Sequence, residues 1–394
     1  MKNTRSLRAL YTTQFLSALA DNMILFIIVE ILKQKGSEDN LGIVQMAFLL
    51  AYVLLAAFVG PFADKNHKNQ VLLIGNLIKL AGIICFILGV GEVISYFIVG
   101  IGAVIYSPAK YGLLPELSAD DEQLHKANAY IEAYTIVSIL AGTVIGGIAA
   151  SQSLTIALGS VLVLYLLSIV AALFVPKTAV NKELAYTHAV RDFFADIKIL
   201  FQIPKTAFSL IGTASFWMSS AVLRIAVIAW IPAALNITET DQQSMIFASV
   251  GLGIIIGSLL TPYMIRASAY YLAYRFGLVM VVCMLILPLT SNLWLSVLLL
   301  FVIGFSAGAY VVPMNTAVQQ VGHIRVGSGK TIAVQNFCNN LLMLIGTVIY
   351  TILLKSGVDN QLLMYGLAFS MAGFVFYLIS QLKKVKPAEN QSIS

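Results

Sequence analysis

The chain has 394 residues, 59% of them hydrophobic and 11% charged, with a formal net charge of +6. Soluble domains carry about a quarter charged residues and under half apolar ones, so a soluble fold, a disordered chain and a disulfide scaffold are all excluded. The basic balance does not point to nucleic acid, because the charges fall in short loops between apolar runs.

A run of about 20 mostly apolar residues crosses about 30 Å of hydrocarbon. Twelve such runs are predicted, over 8–32, 41–63, 71–91, 94–117, 127–150, 153–175, 207–234, 244–265, 270–290, 293–318, 329–354 and 360–382. Runs such as 161–175 are apolar all round and lack the alternation of a barrel strand, so the spans are helices. The first follows Lys2, Arg5 and Arg8, but it is too long for a signal-peptide core and contains Asp21, so it reads as an uncleaved span. The predicted class is an all-α polytopic membrane protein with twelve transmembrane helices. Cys85, Cys283 and Cys338 lie inside apolar runs and read as small buried hydrophobes.

Lysine and arginine set the expected orientation. With the N-terminus in the cytoplasm, Lys33, Lys35 and Lys355 fall outside, and Lys79, Lys110 and Arg224 fall within spans. The other eighteen of the 24 basic residues fall in cytoplasmic loops and tails. That bias satisfies the positive-inside rule and places both termini on one side.

The longest hydrophilic stretch follows the sixth span and divides the chain into an N-terminal six-helix half (1–175), a linker (176–206) and a C-terminal six-helix half (207–394). Within the linker, Phe193, Phe194, Ile197, Leu200 and Phe201 recur at helical spacing against Arg191, Asp192, Asp196 and Lys198, the pattern of an interfacial amphipathic helix. The halves repeat. Lys126–Gly142 aligns with Lys330–Gly346 at an offset of 204, pairing Ala129 with Ala333, Leu140 with Leu344 and Gly142 with Gly346. Tyr106 and Pro108 near the end of the fourth span are echoed by Tyr310 and Pro313 in the tenth. A 6+6 parallel repeat about a cytoplasmic linker is the architecture of the major facilitator fold, whose two pseudo-twofold halves place substrate near the midplane.

Several motifs are decoys. Gly304-Phe-Ser306-Ala-Gly308 fits a nucleophile pattern, but the histidines (His67, His125, His188, His323) are read as loop residues. The small residues suit close helix contact, as do Gly142/Gly146 and Gly253/Gly257. Gly327-Ser-Gly-Lys330-Thr lacks the first glycine and the strand of a phosphate loop, and reads as the start of the eleventh span. Asn236-Ile-Thr238 is a formal glycosylation sequon. No metal-ligand cluster is visible; no metal, no cofactor and no enzyme activity are expected.

The loop after the second span reads Gly60-Pro-Phe-Ala-Asp64-Lys65-Asn-His67-Lys68, similar to the facilitator signature of a glycine, an aspartate four residues on, and basic residues. Gly60 permits close helix contact, Asp64 can cap a helix end, and Lys65 and Lys68 are its nearest cations, so this loop is expected to be a conformational latch. His67 and Asn69 depart from the signature. Glu132, near the cytoplasmic end of its span, is placed with the latch, with Lys126 or Lys110 as partners.

Five ionisable residues lie inside spans: Asp21, Lys79, Lys110, Glu132 and Arg224. Each costs about 2.5–3.5 kcal/mol at the bilayer centre and is expected to face protein or a watery cavity. Lys79 is the weakest candidate, since its stem could snorkel to an interface. Lys110 sits in Tyr106-Ser-Pro-Ala-Lys-Tyr-Gly112, where proline and glycine are expected to break the helix. Asp21 and Arg224 are 203 residues apart, close to the repeat offset, and so stand at equivalent positions of spans one and seven. They are expected to form either an ion pair or a split site, with Arg224 on a phosphate and Asp21 on an amine or glycerol; Asn22 and Lys110 complete the expected substrate set.

Five stretches, Gln14–Met23, Tyr106–Leu113, Lys126–Tyr134, Val312–Thr316 and Ala333–Phe337, resemble the bacterial lysophospholipid transporter family within the major facilitator superfamily. The resemblance spans both halves. It implies movement of lysophospholipids, such as lysophosphatidylethanolamine, from the outer to the inner leaflet of the bacterial inner membrane. A cytoplasmic acyltransferase would then re-esterify them, here as a separate partner, since the chain stops shortly after Lys386. A monomer contacting membrane lipids and no nucleic acid is expected. The alternative is a proton-coupled facilitator carrier of another small amphipathic solute or drug.

Overall fold

The structure, a computed structural model, describes residues 2–36, 41–184, 186–237 and 240–385; Thr238 of the sequon and Lys386 lie outside them. Among the described residues the regular secondary structure is helical throughout. The helices are α1 (Lys2–Gln34), α2 (Leu41–Lys65), α3 (Lys68–Ile87), α4 (Glu92–Leu117), α5 (Asp121–Gln152), α6 (Leu154–Leu173), α7 (Ala189–Gln202), α8 (Pro204–Leu235) and α9 (Thr240–Met264). After a 3₁₀ segment (Ala267–Ala273) follow α10 (Tyr274–Ile286), α11 (Leu293–Arg325), α12 (Ser328–Lys355), α13 (Asn360–Ser380) and the short α14 (Leu382–Val385).

Among the described residues twelve helical stretches are long and apolar enough to cross a membrane, the ninth being α10 with its flanking 3₁₀ turns (Ala267–Leu289), matching the twelve predicted runs, and α7 is the amphipathic helix of the linker. The spanning helices expose apolar side chains outward. On α6, for example, Val163, Leu166, Leu167 and Val170 are exposed. In lipid this is the favourable arrangement, because helical hydrogen bonding leaves no backbone group for the hydrocarbon to solvate.

Two compact units are formed. Unit 1 comprises Met1–Ala119, Tyr134–Lys198 and Gly322–Phe337; unit 2 comprises Asp120–Ala133, Ile199–Val321 and Cys338–Ser394. The N-terminal end of α5 thus belongs to unit 2 and the N-terminal end of α12 to unit 1. In unit 1, α3 packs on α4, α2 on α4, and α1 on α6, around a core including Met23, Ile24, Ile27, Val99 and Val161. In unit 2, α13 packs on α8 and α10.

The internal repeat is visible as equivalent close contacts. Gly142 of α5 lies against Leu19 and Asn22 of α1, where a Cβ would come within 2.8 Å, while Gly346 of α12 lies against Met218 and Val222 of α8. Gly304 and Gly308 on α11 meet the backbone of Val250 and Ile254 on α9, so the Gly-x-Ser-x-Gly run is a helix-contact face.

Two local expectations are corrected. His125 and His323 are on helices, within α5 and α11, because the helices extend beyond the apolar runs. The α4 helix runs unbroken through Pro108, Gly112 and Pro115. Proline removes one hydrogen bond, yet in an apolar span the neighbouring bonds still favour helix over exposed backbone.

Candidate substrate site and helix-end latch

Inside unit 1 the spans carry one connected polar network. Thr13, Ser17 and Asp21 recur every four residues on α1 and so share a face; Asn76 and Lys79 on α3, and Tyr165 and Ser168 on α6, share a face at a spacing of three. The Lys79 Nζ donates to Asp21 Oδ2 at 2.7 Å and to Ser17 Oγ at 2.9 Å. Tyr165 donates its phenol to Asp21 Oδ1 at 2.7 Å. Ser17 donates to Asn76 Oδ1 and Asn76 Nδ2 to Ser168 Oγ, each at 2.9 Å, while Ser168 and Thr13 exchange hydroxyl–carbonyl bonds at 2.8 Å. The Lys79 ammonium also stands 4.7 Å from the centroid of the Tyr106 ring and 5.8 Å from that of Tyr165.

Lys79 is therefore not a snorkelling residue. Its side chain is 1% exposed, against 23% for Asp21. A buried ammonium is tolerable only when paired and hydrogen-bonded, and this one is both. The cation on the Asp21 carboxylate is Lys79, of the same unit, rather than Arg224. Ser17, Asn76, Lys79 and Tyr165 are the members that reading for charges alone undervalued. The available signal was the four-residue polar stripe on an otherwise apolar first span.

The other expected substrate residues are more dispersed. Asn22 turns its amide to its own helix, donating to the Ala18 carbonyl at 2.7 Å. Lys110 is buried on α4, with Nζ 4.1 Å from the Tyr111 ring centroid. Arg224, in unit 2, is exposed on α8, and among the described residues its guanidinium has no ion pair or hydrogen bond.

The loop after α2 forms a second cluster in unit 1. Asp64 accepts the backbone N–H groups of Gly329 at 2.7 Å and Lys330 at 3.0 Å, capping the first turn of α12. A carboxylate suits that position because the first N–H groups of a helix are unpaired and carry its positive dipole end. Gly60 makes the approach possible, since a Cβ there would lie 2.8 Å from the Cα of Lys330. Lys68 lies 3.4 Å from Asp64 and 2.6 Å from Glu116, and Ser328 Oγ reaches Glu116 at 3.1 Å.

Lys65 is not a partner of Asp64 in this arrangement. It donates to the Leu184 carbonyl at 2.7 Å and covers the Tyr186 ring, because α2 ends with its side chain directed at the linker. Glu116 was not anticipated. Nor were the contacts of α7 with the start of α12, an ion pair from Asp196 to Lys330 at 3.0 Å and an edge-to-face contact of Phe193 with Phe337. Glu132 is buried on α5 in unit 2.

Unit 2 has its own knot at the corresponding helix ends. His125 Nε2 lies 3.0 Å from the Ile265 carbonyl and Nδ1 3.0 Å from Thr316 Oγ1. Nearby, Asn128 and Gln319 exchange amide bonds at 2.9 Å, and Glu122 accepts the Ala267 N–H at 3.0 Å. Pro61 and Pro262 align the ends of α2 and α9, so Ile265 occupies the Asp64 position, and His125 the Gly329 position, of the repeat.

Twelve spanning helices whose helix contacts repeat between the halves, with the Asp21–Lys79 ion pair inside the apolar spans, are features of a secondary transporter. Residues 10–347 match the model of the Major Facilitator Superfamily. The lysophospholipid transporter LplT of Photorhabdus laumondii is 37% identical over 359 residues, covering 90% of each chain. Its counterpart in Yersinia pestis is 37% identical over 358 residues, covering 90% of this chain and 88% of that one. Among solved structures, the human organic anion transporter MFSD10 superposes with a TM-score of 0.80 at 15% identity, covering 96% of this chain and 99% of that one. A bacterial homologue of the iron transporter ferroportin gives 0.76 at 13% identity, over 98% and 99%. The chain belongs to the major facilitator superfamily and, within it, to the LplT family of transporters.

Proposed function

We propose that this protein carries lysophospholipids from the outer to the inner leaflet of a bacterial inner membrane by alternating access. The observation that carries the reading is a carboxylate with an open edge, Asp21, and an exposed guanidinium without a partner among the described residues, Arg224, both inside otherwise apolar spans. A lysophospholipid head has a phosphate and an amine or glycerol, and its single acyl chain needs an apolar wall. Arg224 serves the phosphate, since its planar fork donates two hydrogen bonds at once, and Asp21 serves the amine or glycerol end. The names of the relatives support the same substrate class.

In this reading both termini and the 176–206 linker are cytoplasmic, on the strength of the basic-residue bias. The Asp64 cluster, with Gly60 and Lys68, is the latch of the conformational cycle; Lys65 acts on the same cycle through its hold on the linker, and Glu132 acts on it from within its own unit. Lys110 and Asn22 flank the substrate. The transporter works as a monomer without a cofactor, and its product is re-esterified by a separate cytoplasmic acyltransferase.

The test is uptake of labelled lysophosphatidylethanolamine into proteoliposomes, with and without a proton gradient. Uptake that does not need the gradient supports facilitated lipid movement; absence of uptake under both conditions overturns the lipid reading.

A further inference from the structure

Lys79 is held as a bound ammonium ion would be. Its Nζ has a carboxylate oxygen at 2.7 Å, a hydroxyl at 2.9 Å and two aromatic rings with centroids at 4.7 and 5.8 Å. Carboxylate, hydroxyl and aromatic face are the groups that recognise an ammonium ion. The nitrogen is attached to the protein, and it comes from the buried side: Lys79 is 1% exposed, while Asp21 keeps an open edge.

The internal repeat shows which part of this arrangement the helix contacts require. In unit 1, a Cβ on Gly75 would fall 2.9 Å from Tyr106; in unit 2, a Cβ on Gly277 would fall 3.1 Å from Tyr310. The glycine and the tyrosine are thus repeated, through the Tyr106 Cβ in unit 1 and the Tyr310 ring in unit 2, but Val281 stands four residues after Gly277 where Lys79 stands four after Gly75, and it is buried too. A valine fills the position without any cation. Replacing a buried ion pair by apolar residues is commonly neutral or stabilising, so folding alone gives no reason to keep the ammonium.

We propose that Lys79 is a resident ammonium, held in a cage of Asp21, Ser17, Tyr106 and Tyr165, that sets the head-group selectivity of the transporter. It balances the charge of Asp21, so a substrate amine is not required and a head group of net negative charge is not repelled. The assignment rests on the lysophospholipid reading and on Asp21 meeting the head group. With Lys79 neutralised, Asp21 faces the substrate uncompensated; it then favours a head that brings its own amine and disfavours one that brings only negative charge and hydroxyls.

The experiment compares uptake of lysophosphatidylethanolamine and lysophosphatidylglycerol in proteoliposomes containing the wild-type protein, Lys79→Met, Lys79→Gln or Tyr106→Leu at matched amounts. Glutamine can still hydrogen-bond to Asp21 and Ser17, which protects the fold, and Tyr106→Leu loosens the grip on Lys79 without removing it. The ethanolamine-to-glycerol uptake ratio is expected to rise about tenfold in the Lys79 variants and about threefold in Tyr106→Leu. A ratio unchanged from wild type in the variants that transport overturns the assignment, and if neither Lys79 variant accumulates, the Tyr106→Leu ratio decides it alone. Wild-type protein that moves neither lipid overturns the functional reading itself, a result distinct from an unchanged ratio.

Discussion

The Asp64 carboxylate, on the last turn of α2, closes the first turn of α12 through the Gly329 N–H at 2.7 Å, across 265 residues of chain. A helix end is thus satisfied by a residue from a distant helix, and the bond lasts only as long as the two ends meet. Removing the charge should act on the conformational cycle rather than on the substrate. Capping and dipole terms together amount to about 1–2 kcal/mol, so Asp64→Asn is expected to lower turnover about tenfold. Proteoliposome kinetics check this: KM should stay near wild type, and lost binding with unchanged turnover would reverse the assignment.

Asp21→Ala and Arg224→Ala are each expected to abolish transport, with Arg224→Lys restoring it only in part because lysine lacks the bidentate fork. Their stabilities should differ. Asp21→Ala strands the buried ammonium of Lys79, a change that costs about 3–5 kcal/mol in comparable sites. Arg224 is exposed and strands nothing. Melting temperatures in detergent should therefore fall for Asp21→Ala, stay near wild type for Arg224→Ala, and recover in Asp21→Ala/Lys79→Met without return of transport.

Asp196 on α7 offers a pH-dependent readout. Burial holds its carboxyl above the usual carboxylate range, although the Lys330 ammonium at 3.0 Å pulls the other way; Asp192 and Asp64 add to the rise. The folded chain thus binds this proton more tightly than the unfolded chain. Its contribution to stability is largest in acid and declines as pH rises through the window that begins near the ordinary aspartate value of about 3.9. Asp196→Asn should gain melting temperature relative to wild type across that window and hold a constant difference above it. A difference independent of pH would exclude Asp196 as the source.

The unit 2 knot depends on one imidazole. His125→Ala leaves the Ile265 carbonyl without its donor and is expected to cost about 1–3 kcal/mol of unfolding free energy. Glutamine should recover part of this, because its amide can still donate. Thermal unfolding of both variants measures the effect; equal losses would place the contribution in side-chain volume rather than in hydrogen bonding.

Orientation is checked chemically. His188 is exposed in the segment before α7, and a cysteine there should be protected from impermeant maleimide in intact cells and become reactive after lysis. Labelling in intact cells would invert the topology.

What this sequence determined by itself is what depends on local, additive properties. Twelve apolar runs, the amphipathic linker helix and the 204-residue repeat were all legible, because span length, helical period and self-similarity are written along the chain. So was Asp64 as a carboxylate able to cap a helix end, since its spacing from Gly60 is a local pattern. The tertiary structure alone decided which charges meet. The repeat offset puts Asp21 and Arg224 at equivalent positions of spans one and seven, but equivalence within a repeat does not decide which cation a carboxylate takes. Asp21 instead takes Lys79, because α1, α3 and α6 pack so that residues 17, 21, 76, 79, 165 and 168 turn toward one another. A lysine stem able to snorkel in isolation is held inside by a carboxylate 58 residues away, a hydroxyl 62 residues away and the rings of Tyr106 and Tyr165. The same holds for Lys65, which turns to the linker, and for Glu116, which joins Lys68 and Ser328. Hydropathy fixes how deep a residue lies; only the rotation of each helix against its neighbours fixes what it faces.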